Sequence, residues 1–229
     1  LWGKNERLKE IVSMNNQEDR FLEFRALIQQ REGLQQLLDC FPFLISTNVS
    51  CSKLANAEPI FDLMIMDEAG QCSNPLSLPP MARCRRALFV GDPSQLQPVI
   101  TLPSSRNTRL VWDYDIPQAY DYKMNSILST MLKVDTLSKF ILLKHHYRCA
   151  DPIIAFSNQK YYGGELVLSG PAGSEDALTL VDVQSTPQTQ KNVAMEEVAE
   201  VVRQIRPHPQ KEIAVITPYR RQAQMIQRV

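Results

Sequence analysis

Three short stretches of this chain hold side chains suited to one kind of chemistry. In Leu63-Met64-Ile65-Met66-Asp67-Glu68-Ala69 an apolar run ends on two adjacent carboxylates. Open α/β sheets bind ligands beyond the carboxyl ends of their strands, and such a pair would stand there. An Asp in that place can hold Mg²⁺, which prefers oxygen ligands and keeps several waters. Glu68 beside it can orient an attacking water and take its proton. Taken alone, the run also reads as an Asp that caps a following helix.

Some twenty residues on, a second apolar run ends in Gly91-Asp92-Pro93-Ser94-Gln95-Leu96-Gln97-Pro98. Gly91 permits a tight turn and Pro93 stiffens it. The neutral amide of Gln95 can hydrogen-bond a phosphate oxygen or the attacking water without neutralising Glu68. The third stretch is His145-His146-Tyr147-Arg148. A guanidinium fork suits a phosphate in a way that an ammonium does not. Tyr147 has a face on which a base can stack. The two histidines invite a metal reading, but neighbours on a strand point to opposite faces.

Residues so far apart in sequence need a scaffold that gathers them. Residues 5–38 place Leu8, Ile11, Val12, Phe21, Phe24, Leu27, Ile28, Leu34, Leu37 and Leu38 at helical spacing with a polar opposite face, which predicts a long helix. Short apolar runs predict strands at 41–47, 62–66, 86–90, 140–143, 177–183 and 213–216. Apolar on both faces, they suit parallel sheets covered by helices. Helices are expected at 75–81, 125–132 and 151–161, after Asn192 as N-cap, and from about Arg221. Residues 101–124 show neither period and read as a long loop. Its four aromatics, Trp112, Tyr114, Tyr120 and Tyr122, suit packing on a surface better than base stacking. The alternation predicts an α/β chain. We expect a helical accessory or stalk segment at 1–39 and parts of two parallel-sheet lobes at 40–135 and 136–229.

Lys+Arg and Asp+Glu are equal at 25 each, so any nucleic-acid surface must be a local groove. No apolar run approaches the ~20 residues of a membrane span. The five cysteines contain no Cys-x-x-Cys pair. That disfavours a zinc site or a disulfide framework and suits a reducing, intracellular setting, cytoplasmic or nuclear. The start, Leu1-Trp2-Gly3-Lys4, has neither Met nor a signal-peptide core, so we expect a piece of a longer protein.

The run Asp67-Glu68-Ala69-Gly70-Gln71, then Gly91-Asp92-x-x-Gln95-Leu96-x-Pro98, then Tyr147-Arg148, resembles motifs II, III and IV of superfamily 1B helicases. It most resembles the branch containing the nonsense-mediated-decay helicase and senataxin. Phe156-Ser157-Asn158, Tyr161-Tyr162-x-Gly164-x-Leu166 and Thr217-Pro218-Tyr219-x-x-Gln222 are similar to later family segments. The resemblance covers roughly 40–100 and 125–229.

It implies two RecA-like lobes that clamp ATP. Asp67 would bind Mg²⁺ and Glu68 would be the general base. Gln95 would touch the γ-phosphate, with Gly91 and Asp92 in the same ATP-binding turn. Gln71 would couple motif II to its surroundings. Tyr147 would stack on adenine, and Arg148 would contact the γ-phosphate. Thr47 and the segment Thr217, Pro218 and Tyr219 would face single-stranded RNA or DNA. Gly70, His146, Cys149 and Gln97 depart from the family's usual residues without removing a group that does chemistry. The sequence G-x-x-x-x-G-K-[ST], the phosphate loop, does not occur, nor do motifs V and VI. We expect them in the longer protein, and we expect this chain alone to be inactive. The rival reading is a catalytically incomplete module that binds nucleic acid or a protein partner.

Overall fold

A computed structural model describes residues 5–170, 177–184 and 192–229. The opening residues 1–4 lie outside the described residues. The chain divides into two compact units, Leu1–Leu143 and Lys144–Val229. The architecture is the expected α/β class, with short parallel sheets among many helices.

The first unit opens on three helices, α1 (Glu6–Ser13), α2 (Gln17–Gln29) and α3 (Arg31–Cys40). The expected long helix is therefore broken. Asn5 caps α1 by accepting from the Leu8 N–H at 3.0 Å, and Asn16 caps α2 by accepting from Glu18 at 2.9 Å. An Asn side chain that satisfies free N–H groups favours a helix start over helix continuation. Gln30 between α2 and α3 is extended. The break lets the helices fold on one another around Leu8, Ile11, Leu27, Leu34 and Leu37, with Leu54 and Ala55 from the following segment.

Strand β1 (Phe61–Met66), helix α4 (Asn74–Met81) and strand β2 (Cys84–Phe89) form a parallel β-α-β unit. The register pairs Ile65 with Leu88 and Met66 with Phe89, so both strands end at the same level. Met66 is buried in a second core with Ala69, Cys72, Ile127 and Leu128, the last two from helix α6 (Ile127–Val134). Leu63, Ile65 and Leu88 are exposed. The strands were expected to be covered on both faces, but among the described residues only the Met64–Met66 face is.

Residues 101–124 are not the expected loop throughout. Helix α5 (Ser104–Asp113) occupies the first half, and Gln118–Tyr120 forms a 3₁₀ turn. The residue α5 buries is Asn107, whose amide donates to Asp121 at 2.9 Å. Its anchor is polar, which is why no hydrophobic period announced it. Trp112 and Tyr114 are exposed.

The second unit holds β3 (His145–His146), α7 (Asp151–Tyr161), β4 (Val167–Leu168), α8 (Met195–Ile205) and α9 (Arg220–Arg228). β3 and β4 pair in parallel. Helix α7 follows the expected bounds, with Asp151 and a Pro in its first turn. The N-cap of α8 is Ala194, not Asn192, which adopts the left-handed conformation at φ 68°. The runs at 41–47, 140–143, 177–183 and 213–216 form no ladder. A strand is defined by its partner, and among the described residues these runs have none; Ile45 and Ile216 are almost fully exposed.

Candidate active site

The equal ends of β1 and β2 bring two loops together. The Val90 N–H donates to the Met66 carbonyl and the Ala69 N–H donates to the Val90 carbonyl, both at 2.8 Å. Asp67, Glu68 and Gln71 thus stand on one loop, and Gly91, Asp92 and Gln95 on the loop beside it. Ala69 and Gly70 form the buried floor between them, while Asp67, Glu68, Gln71 and Gln95 are exposed.

Close approach explains the glycines. A Cβ on Gly91 would lie 2.9 Å from the Gly70 nitrogen, and a Cβ on Gly70 would lie 2.9 Å from the Asp92 carbonyl oxygen. Gly91 was expected to supply a turn conformation; what it supplies is room. Gly70 lets the Asp92 backbone come against the carboxylate loop.

Glu68 has φ 52° and ψ 37°, the left-handed region, where a non-glycine residue stores strain of ~1 kcal/mol or more. Three bonds hold it there. The Glu68 N–H donates to Asp67 Oδ1 at 2.9 Å, the Gln71 N–H donates to the Glu68 carbonyl at 2.9 Å, and Gln71 Nε2 donates to Glu68 Oε2 at 3.0 Å. Gln71 therefore fixes both the backbone and the carboxylate of Glu68. On the facing loop, Asp92 accepts from the Ser94 N–H at 2.9 Å and from Gln95 Nε2 at 3.0 Å. That bond uses a donor of Gln95.

Mg²⁺ fits Asp67. The side chain is exposed, and Oδ1 is engaged by one backbone N–H. Among the described residues no group of three or more His, Cys, Asp or Glu could hold a metal. A Mg²⁺ that keeps its waters and also binds substrate phosphates needs only one or two carboxylates.

Thr47 lies in the same unit. Its hydroxyl donates to Ser50 Oγ at 3.0 Å and accepts from the Ser50 N–H, at the start of the 3₁₀ turn Ser50–Lys53. The next residue ties this turn to the carboxylate loop, because Asn48 Nδ2 donates to Cys72 Sγ at 3.1 Å. Neither Asn48 nor Cys72 was singled out from the sequence, where an isolated Asn and Cys carry no pattern. Burial pushes the Cys72 thiol up from its ordinary pKa, with Asn48 opposing in part.

Tyr147, Arg148 and the Thr217 segment belong to the second unit. The Cys149 N–H donates to His146 Nε2 at 2.9 Å, which closes the turn carrying Tyr147 and Arg148. An accepting Nε2 requires a neutral ring with its proton on Nδ1. His146 therefore shapes the backbone here. Pro218 and Tyr219 are exposed just before α9. Gln222, one turn into α9, is buried; its Oε1 accepts from the Ala194 N–H at 2.9 Å, and its Nε2 donates to the Ala194 carbonyl at 3.2 Å and to Glu197 at 3.1 Å. It pins the start of α9 to the start of α8.

All five cysteines are free, and among the described residues no helix is long and apolar enough to cross a membrane.

Residues 4–102 match the family model described as AAA domain. An uncharacterized ATP-dependent helicase of Mycoplasma genitalium, MG140, is 24% identical over 185 residues, covering 76% of this chain and 16% of that protein. The mouse 5'-3' DNA helicase ZGRF1 is 27% identical over 174 residues, 72% of this chain and 8% of that protein. The mouse DNA replication ATP-dependent helicase/nuclease DNA2 is 29% identical over 133 residues, 58% of this chain and 11% of that protein. The chain thus spans less than a fifth of the length of each of these relatives. The chain is thus similar to an AAA domain over residues 4–102 and to ATP-dependent helicases over part of its length.

Proposed function

We propose that this chain is the central part of an ATP-dependent helicase or translocase of superfamily 1B, acting on single-stranded nucleic acid. The observation that carries the reading is the pairing of the 67–71 and 91–95 loops at the level ends of two parallel strands. Relatives whose names specify a nucleic acid specify DNA, which supports DNA over RNA as the track. The family branch proposed is the one that contains the nonsense-mediated-decay helicase and senataxin.

In this reading the first unit carries part of one RecA-like lobe, with residues 1–39 as an accessory segment, and the second unit carries part of the other. Asp67 holds Mg²⁺, which when bound supplies positive charge to the substrate phosphates. Glu68 takes the proton of the attacking water. Its left-handed backbone and the Gln71 amide fix the direction of that carboxylate. Gly91 and Asp92 shape the facing turn, and Asp92 orients Gln95 toward its task at the γ-phosphate. Arg148 neutralises charge that develops on the transferred phosphoryl oxygens. Tyr147 stacks on adenine. Thr47, Thr217, Pro218 and Tyr219 contact the nucleic acid, and an intracellular, cytoplasmic or nuclear setting suits the free thiols.

The test is steady-state ATPase of the full-length protein that carries this chain, with single-stranded DNA or RNA. Glu68→Gln keeps the shape but cannot take a proton, so turnover falls by roughly 10²–10⁴-fold while nucleotide affinity holds. Arg148→Ala slows turnover by ~10³-fold. Residues 1–229 alone, which lack G-x-x-x-x-G-K-[ST], show no turnover. Undiminished ATPase in Glu68→Gln removes the proposed mechanism. Nucleic-acid binding without any ATPase in the full-length protein favours the incomplete module.

A further inference from the structure

Tyr147 does not stand alone. Residues two apart on an extended segment share a face, so His145 and Tyr147 point to the same side. Their ring centroids are 5.9 Å apart and their planes differ by 12°, a parallel pair within the 4.5–7 Å range of offset stacking. The imidazole has a second partner, with His145 Nδ1 3.5 Å from Ser169 Oγ just after β4. The backbone beneath is fixed by two more bonds: the Ser169 N–H donates to the His146 carbonyl at 2.8 Å, and the Cys149 N–H donates to His146 Nε2. One side of the Tyr147 ring is therefore occupied by His145, and Tyr147 as a residue remains 67% exposed.

An isolated surface tyrosine that stacks on a base loses rotamer freedom when it binds. One already stacked on a fixed neighbour has lost that freedom beforehand. From this we infer that His145 is a positioning residue of the nucleotide site: it holds Tyr147 as the outer layer of a two-ring platform whose open face takes the adenine of ATP. The inference rests on the reading that Tyr147 stacks on adenine. His145 itself touches Tyr147 and not the base, so its effect falls on nucleotide affinity and leaves the chemical step alone. Any planar ring at 145 serves; the imidazole nitrogens are not required.

The experiment uses the full-length protein and reads KM for ATP, kcat and affinity for a single-stranded oligonucleotide in His145→Ala, His145→Phe and Tyr147→Ala, with thermal melting to verify folding. His145→Ala is expected to raise KM for ATP by about 2- to 12-fold, the worth of one aromatic pair, with kcat within about twofold. His145→Phe, which keeps a ring, returns KM to within about twofold of wild type. Tyr147→Ala raises KM at least as much as His145→Ala. If Tyr147→Ala raises KM and His145→Ala does not, His145 has no positioning role while the adenine reading of Tyr147 stands. If neither changes KM, the adenine reading falls and the inference with it. A fall in oligonucleotide affinity at unchanged KM makes the pair a nucleic-acid platform and overturns the proposal. So does a loss in His145→Ala that phenylalanine does not restore.

Discussion

The Asp92 carbonyl oxygen lies 2.9 Å from the point where a side chain on Gly70 would begin. The obstacle is backbone, so it cannot rotate away. Gly70→Ala is expected to push the two loops apart and destabilise the first unit by ~1–3 kcal/mol, the cost of overpacking a close contact. Urea unfolding of the full-length protein measures the loss, and ATPase should fall with it. Unchanged stability and turnover would show that the loops can separate freely and that their contact has no part in the site.

Gln71 provides the next expectation. Its amide holds the Glu68 carboxylate at 3.0 Å. Gln71→Ala keeps the general base but frees its direction, so kcat should drop by roughly 10- to 100-fold with KM for ATP little changed. A rise in KM at constant kcat would move Gln71 from orienting the base to binding nucleotide.

His146 should tolerate glutamine and not alanine. The group that closes the Tyr147-Arg148 turn is an acceptor for the Cys149 N–H at 2.9 Å. A glutamine oxygen can take that hydrogen bond, whereas alanine leaves the donor to water at a cost of about 1 kcal/mol. Melting temperature and ATPase of His146→Gln and His146→Ala, compared side by side, check this. Equal loss in both variants would mean that the imidazole does something more than accept.

Cys72 should be the slowest of the five cysteines to alkylate. It is the one buried cysteine, which limits access, and burial raises its pKa, as it does that of Cys84, so less of it is the reactive thiolate at neutral pH. Timed iodoacetamide labelling of the folded protein, read by peptide mass, ranks the sites. Asn48→Ala removes the contact at 3.1 Å and should let the 47–50 turn open over the thiol, speeding its reaction. Rapid labelling of Cys72 in the wild type would show that this region does not stay closed.

Short-range rules were enough to read some of this protein from its residues alone. Two apolar runs that end in Asp67-Glu68 and Gly91-Asp92 announce strands and turns, because the apolar stretch and the residues that stop it are both local. They form β1 and β2, the neighbouring parallel strands of one sheet. Helix α7 was equally legible, since Asp151 and Pro152 mark a start that needs no distant partner. Tertiary structure decided the rest. Whether 41–47 or 213–216 forms a strand depends on a partner elsewhere in the chain, and helix α5 depends on Asp121 holding Asn107. Gly70 and Gly91 owe their role to a backbone approach across the two loops. The stack of His145 on Tyr147 is fixed by ring separation and angle. Residue order states which groups are present; distances between groups remote in sequence exist only once the chain has folded, and the orientation of Glu68 and Tyr147 is set by those distances.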